Sequence, residues 1–197
     1  MDTLDFDPHY FGFLEKAEQE AEAINLGSDC AGLMPGGRVN GRATRYAAML
    51  SGIEHFEKLP GEAPRLSDDP IFLGFHFPPD YLRSGDPTLH FRIVHLLSPV
   101  FHPNASGVNL CMGETFRSGT PLRALVQQLW AVFAAGRFST TSPLDRDAAV
   151  FYVANIDRVR ALRARPLFRE SFITNVQRVE PERAPEPKSN VSTEVKP

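Results

Sequence analysis

Pro99-Val100-Phe101-His102-Pro103-Asn104-Ala105-Ser106-Gly107-Val108-Asn109-Leu110-Cys111 is the stretch on which the reading turns. A His-Pro-Asn turn precedes a cysteine by seven residues, with a small, polar, glycine-containing bend between them. The only other cysteine, Cys30, stands in a glycine-rich segment without chemical partners beside it. An amide side chain held near a thiol suits acyl transfer. The thiolate takes the acyl group, and the amide N–H stabilises the oxyanion formed when that group is attacked. Taken alone, Cys111 fits a buried core thiol better, and Asn104 also fits a turn residue bonded to its own backbone, a role compatible with the first.

Working outward, Ile71 to Phe77 and Thr88 to Leu96 alternate as strands, and Thr44 to Leu50 and part of 52–57 read the same way. Together they predict a small antiparallel meander. Residues 27–43 are glycine-rich, with turn signals at Pro35-Gly36-Gly37 and Asn40-Gly41, and 58–70 reads as a loop. Asp7-Pro8 opens a helix over about 8–25, with Gly27 as its stop and its glutamates mostly outward. After Cys111 comes a loop to Gly119. Thr120-Pro121 then reads as a cap and first-turn proline, and Leu122, Leu125, Leu129, Val132 and Phe133 form one apolar face ending at Gly136. Trp130 is expected in the core. Further helices are predicted over about 146–155 and 156–165, the last stopped by Pro166. Helices after an antiparallel sheet give an α+β class. From about 180 the chain is rich in proline and charge, so residues 1–179 are expected to form the domain and 180–197 a disordered tail.

The central stretch resembles the active-site run of ubiquitin-conjugating (E2) enzymes, in which a His-Pro-Asn turn precedes the thioester-forming cysteine. The resemblance continues upstream in Phe75-His76-Phe77-Pro78-Pro79-Asp80-Tyr81 and in Pro87 to Ile93. Downstream it takes in Ser142-Pro143-Leu144-Asp145, Ala148, Ala149, Tyr152 and Asn155. It spans about 71–157 in the family's order. It implies the E2 (UBC-like) fold and a transferase that receives a ubiquitin-like protein from an E1-like activating enzyme as a thioester on Cys111, then passes it to a lysine of a protein substrate. By the same resemblance Asn104 stabilises the oxyanion, and Ser142 holds the position that orients the incoming amine. Ser142 on its own also fits a turn before a helix. Glu114, three residues past Cys111, is a candidate substitute acid/base, and His102 is read as an architectural residue bonded to nearby backbone, with a general base as the alternative.

The chain departs from the family in several places. The Asn104–Cys111 spacing is one residue shorter. Leu82 stands where a proline follows the tyrosine, and no tryptophan lies between Phe116 and Pro121. The first helix is acidic where the family's E1-binding helix is basic. With its arginine-rich composition, this divergence resembles E2-like proteins of bacterial ubiquitin-like conjugation operons linked to antiphage defence. Two other classes remain in view: a noncatalytic E2-fold module that binds ubiquitin-like proteins or scaffolds a complex, and a cysteine hydrolase. The first would lack the cysteine, and the second wants a histidine base that no sequence feature identifies.

Composition bounds the partners. The 197 residues are 42% hydrophobic, enough for a sizeable core. A net charge of −3 speaks against a nonspecific nucleic-acid binder. No apolar run reaches spanning length, and two distant cysteines favour a reducing, cytoplasmic setting. The N-terminus carries no signal-peptide pattern. Only four lysines occur, Lys16, Lys58, Lys188 and Lys196, which fits either genome composition or a thioester enzyme that spares itself. No phosphate-binding G-x-x-x-x-G-K-[ST] loop is present, so no cofactor is expected. His90, His95, His102 and Cys111 are zinc-ligand types, but His90 and His95 on one strand would face opposite ways, so no metal is expected either.

Overall fold

The computed structural model describes residues 7–86, 88–112, 116–134, 138 and 142–169. The expected tail from 180, Glu114 and Gly136 lie outside them. The chain opens with helix α1 (Pro8–Gly27), whose N-cap Asp7 accepts from the N–H groups of His9 and Tyr10, with Pro8 at the first helical position. Tyr10, Leu14, Ala17, Ala21 and Ile24 form its buried stripe. Fully burying a side chain such as Leu14 or Ile24 contributes about 1.5–3 kcal/mol.

The glycine-rich segment is ordered. β1 (Ala31–Val39) and β2 (Arg42–Leu50) form an antiparallel hairpin closed by Asn40-Gly41, both at positive φ. That two-residue pattern suits the right-handed twist of paired strands. Pro35 does not break β1, because β1 lies at the edge of the sheet. Gly37 takes φ +51 without shifting the register on either side. The sheet order is β1-β2-β5-β6-β8-β7, all antiparallel, with β5 (Ile71–His76) and β6 (Val94–Leu96) completing the meander and β8 (Asn109–Leu110) and β7 (Ala105–Ser106) extending it. β3 (His55–Glu57) and β4 (Arg65–Ser67) pair separately, so the expected 58–70 loop contains a strand.

The strand expected over Thr88 to Leu96 is only its last three residues. Asp86 Oδ1 accepts from both the N–H and the hydroxyl of Thr88, turning the chain into a short helix, α2 (His90–Ile93), that buries His90 and Ile93 one turn apart. His90 and His95 therefore do not share a strand, and the argument from opposite strand faces does not apply to them.

Helix α3 (Leu122–Ala134) buries Leu122, Leu125, Val126, Leu129, Trp130, Val132 and Phe133 against the core. Its first-turn Arg123 N–H is bonded by Glu20 of α1, while the Thr120 hydroxyl bonds Arg117 O. Glu18 of α1 likewise bonds Arg38, Arg42 and the Ala43 N–H, so part of the acidic face of α1 is engaged within the fold. Helix α4 (Arg146–Ala154) is capped by Asp145, which accepts from the Ala148 N–H. Helix α5 (Ile156–Arg160) is half the expected length. The chain leaves it to pair Ala164 with Ile53 in an antiparallel bridge, and Leu167 and Phe168 return to the core. The main core lies between α1, α3 and the sheet. A second cluster of Phe56, Phe101, Ala148, Tyr152 and Val159 joins α4 and α5 to the segment that carries the His-Pro-Asn turn. Among the described residues, no helix is long and apolar enough to cross a membrane.

Candidate active site

The bend between Asn104 and Cys111 is a two-residue β-hairpin. β7 (Ala105–Ser106) pairs with β8 (Asn109–Leu110) through Ala105↔Leu110 and Ser106↔Asn109. Gly107 at φ +56 is the first turn residue, and Val108 is not at positive φ, the pattern of a type II′ turn. The same register puts Asn104 opposite Cys111, and the Cys111 N–H donates to the Asn104 carbonyl at 2.7 Å. Directly opposite residues carry their Cβ atoms about 5 Å apart on one face. Strand alternation sends Ala105 and Leu110 into the core and leaves Asn104 and Cys111, both half-buried, on the other side. Residue Asn109 pairs with His95 of β6, so the hairpin is an extension of the sheet.

His102 organises the turn from below. It is 2% exposed, and its Nδ1 accepts from the Asn104 N–H at 3.1 Å. That bond requires a neutral ring with the proton on Nε2. Burial drives its pKa from 6.5 down to about 3, which keeps the ring uncharged. Its edge meets Tyr152 of α4 at 5.2 Å and Phe133 of α3 at 6.0 Å between ring centres. The ring thus couples the turn to two helices and is bonded to backbone as expected.

Ser142 is exposed in the segment leading into α4. Two residues later, the Leu144 N–H donates to Pro103 O at 2.8 Å, and the Asp145 N–H donates to the same oxygen at 3.2 Å. One carbonyl of the His-Pro-Asn turn therefore holds the approach to α4. It ties Leu144 and Asp145 to the residue that precedes Asn104. Sequence reasoning missed Pro103 O, since a carbonyl carries no side-chain signature. Lys58 is one of only four lysines in the chain. Its Nζ lies 5.0 Å above the ring of Phe101, just ahead of the turn.

Cys30 is 1% exposed at the start of β1, and burial pushes its thiol pKa up. Among the described residues, no group of three or more His, Cys, Asp or Glu side chains is placed to hold a metal ion.

No protein-family model matches the chain, and no curated protein matches it. Among solved structures, it is similar to the E2 domain of a ubiquitin conjugating enzyme from Toxoplasma gondii, with 18% identity and a TM-score of 0.47. The similarity covers 75% of this chain and 91% of that one.

Proposed function

We propose that this chain is an E2-like conjugating enzyme in which Cys111 and Asn104 act as a pair. The observation that supports this reading best is the type II′ hairpin that sets a half-buried thiol opposite an asparagine, with the Cys111 N–H bonded to Asn104 O. The Cys111 thiolate attacks the thioester joining a ubiquitin-like protein to an E1-like enzyme. The new C–S bond forms as the E1 thiolate leaves. A lysine amine of a protein substrate then attacks the acyl carbon, the Asn104 amide donates to the oxyanion, and the Cys111 thiolate departs as the isopeptide bond forms. One such donor is worth about 2.7–4 kcal/mol of transition-state stabilisation. The amine has an ordinary pKa of about 10.4 and must lose a proton to attack. Ser142 orients it, and solvent takes the proton.

Residues 1–179 are the catalytic domain in this reading, acting in the cytoplasm of a bacterium within a ubiquitin-like conjugation system of antiphage defence. The test is to incubate the purified chain with ATP, an E1-like activating enzyme and a ubiquitin-like protein. An adduct reversed by thiol reductant, lost in Cys111→Ser and kept in Cys30→Ser, is the expected result. A reducible adduct at wild-type yield in Cys111→Ser would overturn the assignment.

A further inference from the structure

The segment from Ile156 to Arg169 carries five arginines, at 158, 160, 163, 165 and 169, against one acid, Asp157, in a chain whose total charge is −3. All five are exposed. Two are engaged within the fold: Arg158 lies over the Phe56 ring at 5.3 Å, and Arg169 is paired with Asp29. Arg160 is 3.9 Å from Asp157, a pair open to water on both sides and worth little. Among the described residues, the guanidinium groups of Arg163 and Arg165 make neither a hydrogen bond nor an ion pair, and Arg165 acts only electrostatically on the Asp29 carboxylate, which Arg169 already pairs.

The backbone beneath these charges is held tightly. Ala164 bridges Ile53, the Glu54 N–H donates to Arg163 O at 2.8 Å, and the Arg165 N–H donates to Gly52 O at 2.9 Å. The Glu54 carboxylate accepts from the Arg163 N–H at 2.9 Å. Leu167 and Phe168 anchor the far end in the core. Gly52, at φ +74, makes room for the stem of Arg165, whose Cδ would lie 3.0 Å from any Cβ added there. Beside this stem is a cavity of about 270 Å³ lined by Asp29, Arg165, Pro166, Phe168 and Arg169.

We propose that this arginine surface docks an acidic face of a partner protein. The fixed backbone lowers the ordering cost that a flexible basic tail would incur on binding. Guanidinium forks match carboxylates in bidentate geometry. The charge balance selects against nucleic acid. With so much positive charge in one segment, the remaining surface is net negative. A polyanion running beyond the segment meets that repulsion within a screening length of about 10 Å. An acidic protein patch of limited extent does not. The inference is independent of the chemistry at Cys111.

The test uses the full chain and two fluorescent probes, a ten-residue polyglutamate peptide and a twelve-nucleotide single-stranded DNA. The double variant Arg163→Glu/Arg165→Glu is compared with Arg45→Glu/Arg92→Glu, a matched reversal elsewhere on the surface. Expected is peptide binding that weakens at least about tenfold in the first variant and less than about twofold in the second, with the DNA bound more weakly than the peptide. Circular dichroism of both variants checks that they fold. Three results would overturn the proposal: no peptide binding by the wild-type chain, equal weakening in the two variants, or tighter binding of the DNA through the same arginines.

Discussion

Cys30 and Cys111 place one side chain in two environments. Cys30 is sealed at the junction of α1 and β1, where the Ser28 hydroxyl accepts from its N–H and burial raises its thiol pKa. Cys111 ends a hairpin whose inward residues are core and whose outward residues face water, and its N–H is spent on Asn104 O. The first position packs a small hydrophobe. The second leaves a half-buried thiol opposite an asparagine. What separates them is the local strand register, since a shift of one residue in β8 would turn Cys111 inward.

The largest expected contrast is in thiol reactivity. Under native conditions an alkylating reagent should modify Cys111 and leave Cys30 at least about 10³-fold slower, because labelling Cys30 requires the structure to open. Peptide mapping after timed quenching measures both rates. Comparable rates would show that the two environments do not differ in access.

The second contrast concerns what supports each site. His102 is held neutral with its pKa lowered to about 3, whereas its unfolded value is about 6.5. Between these values the unfolded chain binds the extra proton. Stability is therefore full above about pH 6.5 and falls on acidification, by about 1.4 kcal/mol per pH unit from this group. His76, also lowered chiefly by burial, adds the same sign. Subtracting the pH–stability curve of His102→Gln isolates the share from the turn. Equal acid slopes in the two proteins would remove it.

The smallest expected effect is at the hairpin turns. Gly107→Ala and Gly41→Ala both place a Cβ at positive φ with open space around it, so each should cost about 1 kcal/mol. On a chain of this size that lowers the melting temperature by roughly 2–4 °C. Only Gly107→Ala, in the turn that sets Asn104 opposite Cys111, should also alter the alkylation rate of Cys111. Melting curves and labelling of the two variants check both halves.

Much of this arrangement was legible from residue types. Asp7-Pro8, the α3 apolar face and the alternation of β5 are local signals that packing reinforces. β1 was obscured because Pro35-Gly36-Gly37 usually ends a strand, and only its edge position and the positive φ of Gly37 allow it. The short helix α2 was hidden by side-chain alternation that the Asp86–Thr88 bonds override. β4 was hidden among prolines and glycines. At the site, the motif gave Asn104 and Cys111 as candidates, and the hairpin supplies the register that sets them opposite each other. The link from Pro103 O to the Ser142 segment was unreadable, since it runs between backbones about forty residues apart. The run Arg158 to Arg169 was in plain view, but its meaning depends on knowing which guanidiniums the fold already uses.

The pairing of Cys111 with Asn104 is tested most directly by single-turnover discharge of the loaded protein to free lysine, measured beside a melting curve. Asn104→Ala should retain its melting temperature and load Cys111 with little loss, because the E1 site helps to stabilise that transition state. Its discharge should slow by roughly 10²–10³-fold, the usual cost of one lost oxyanion donor. A well-folded Asn104→Ala protein that discharges at the wild-type rate would contradict the account, leaving Asn104 as a turn residue and Cys111 to act without it.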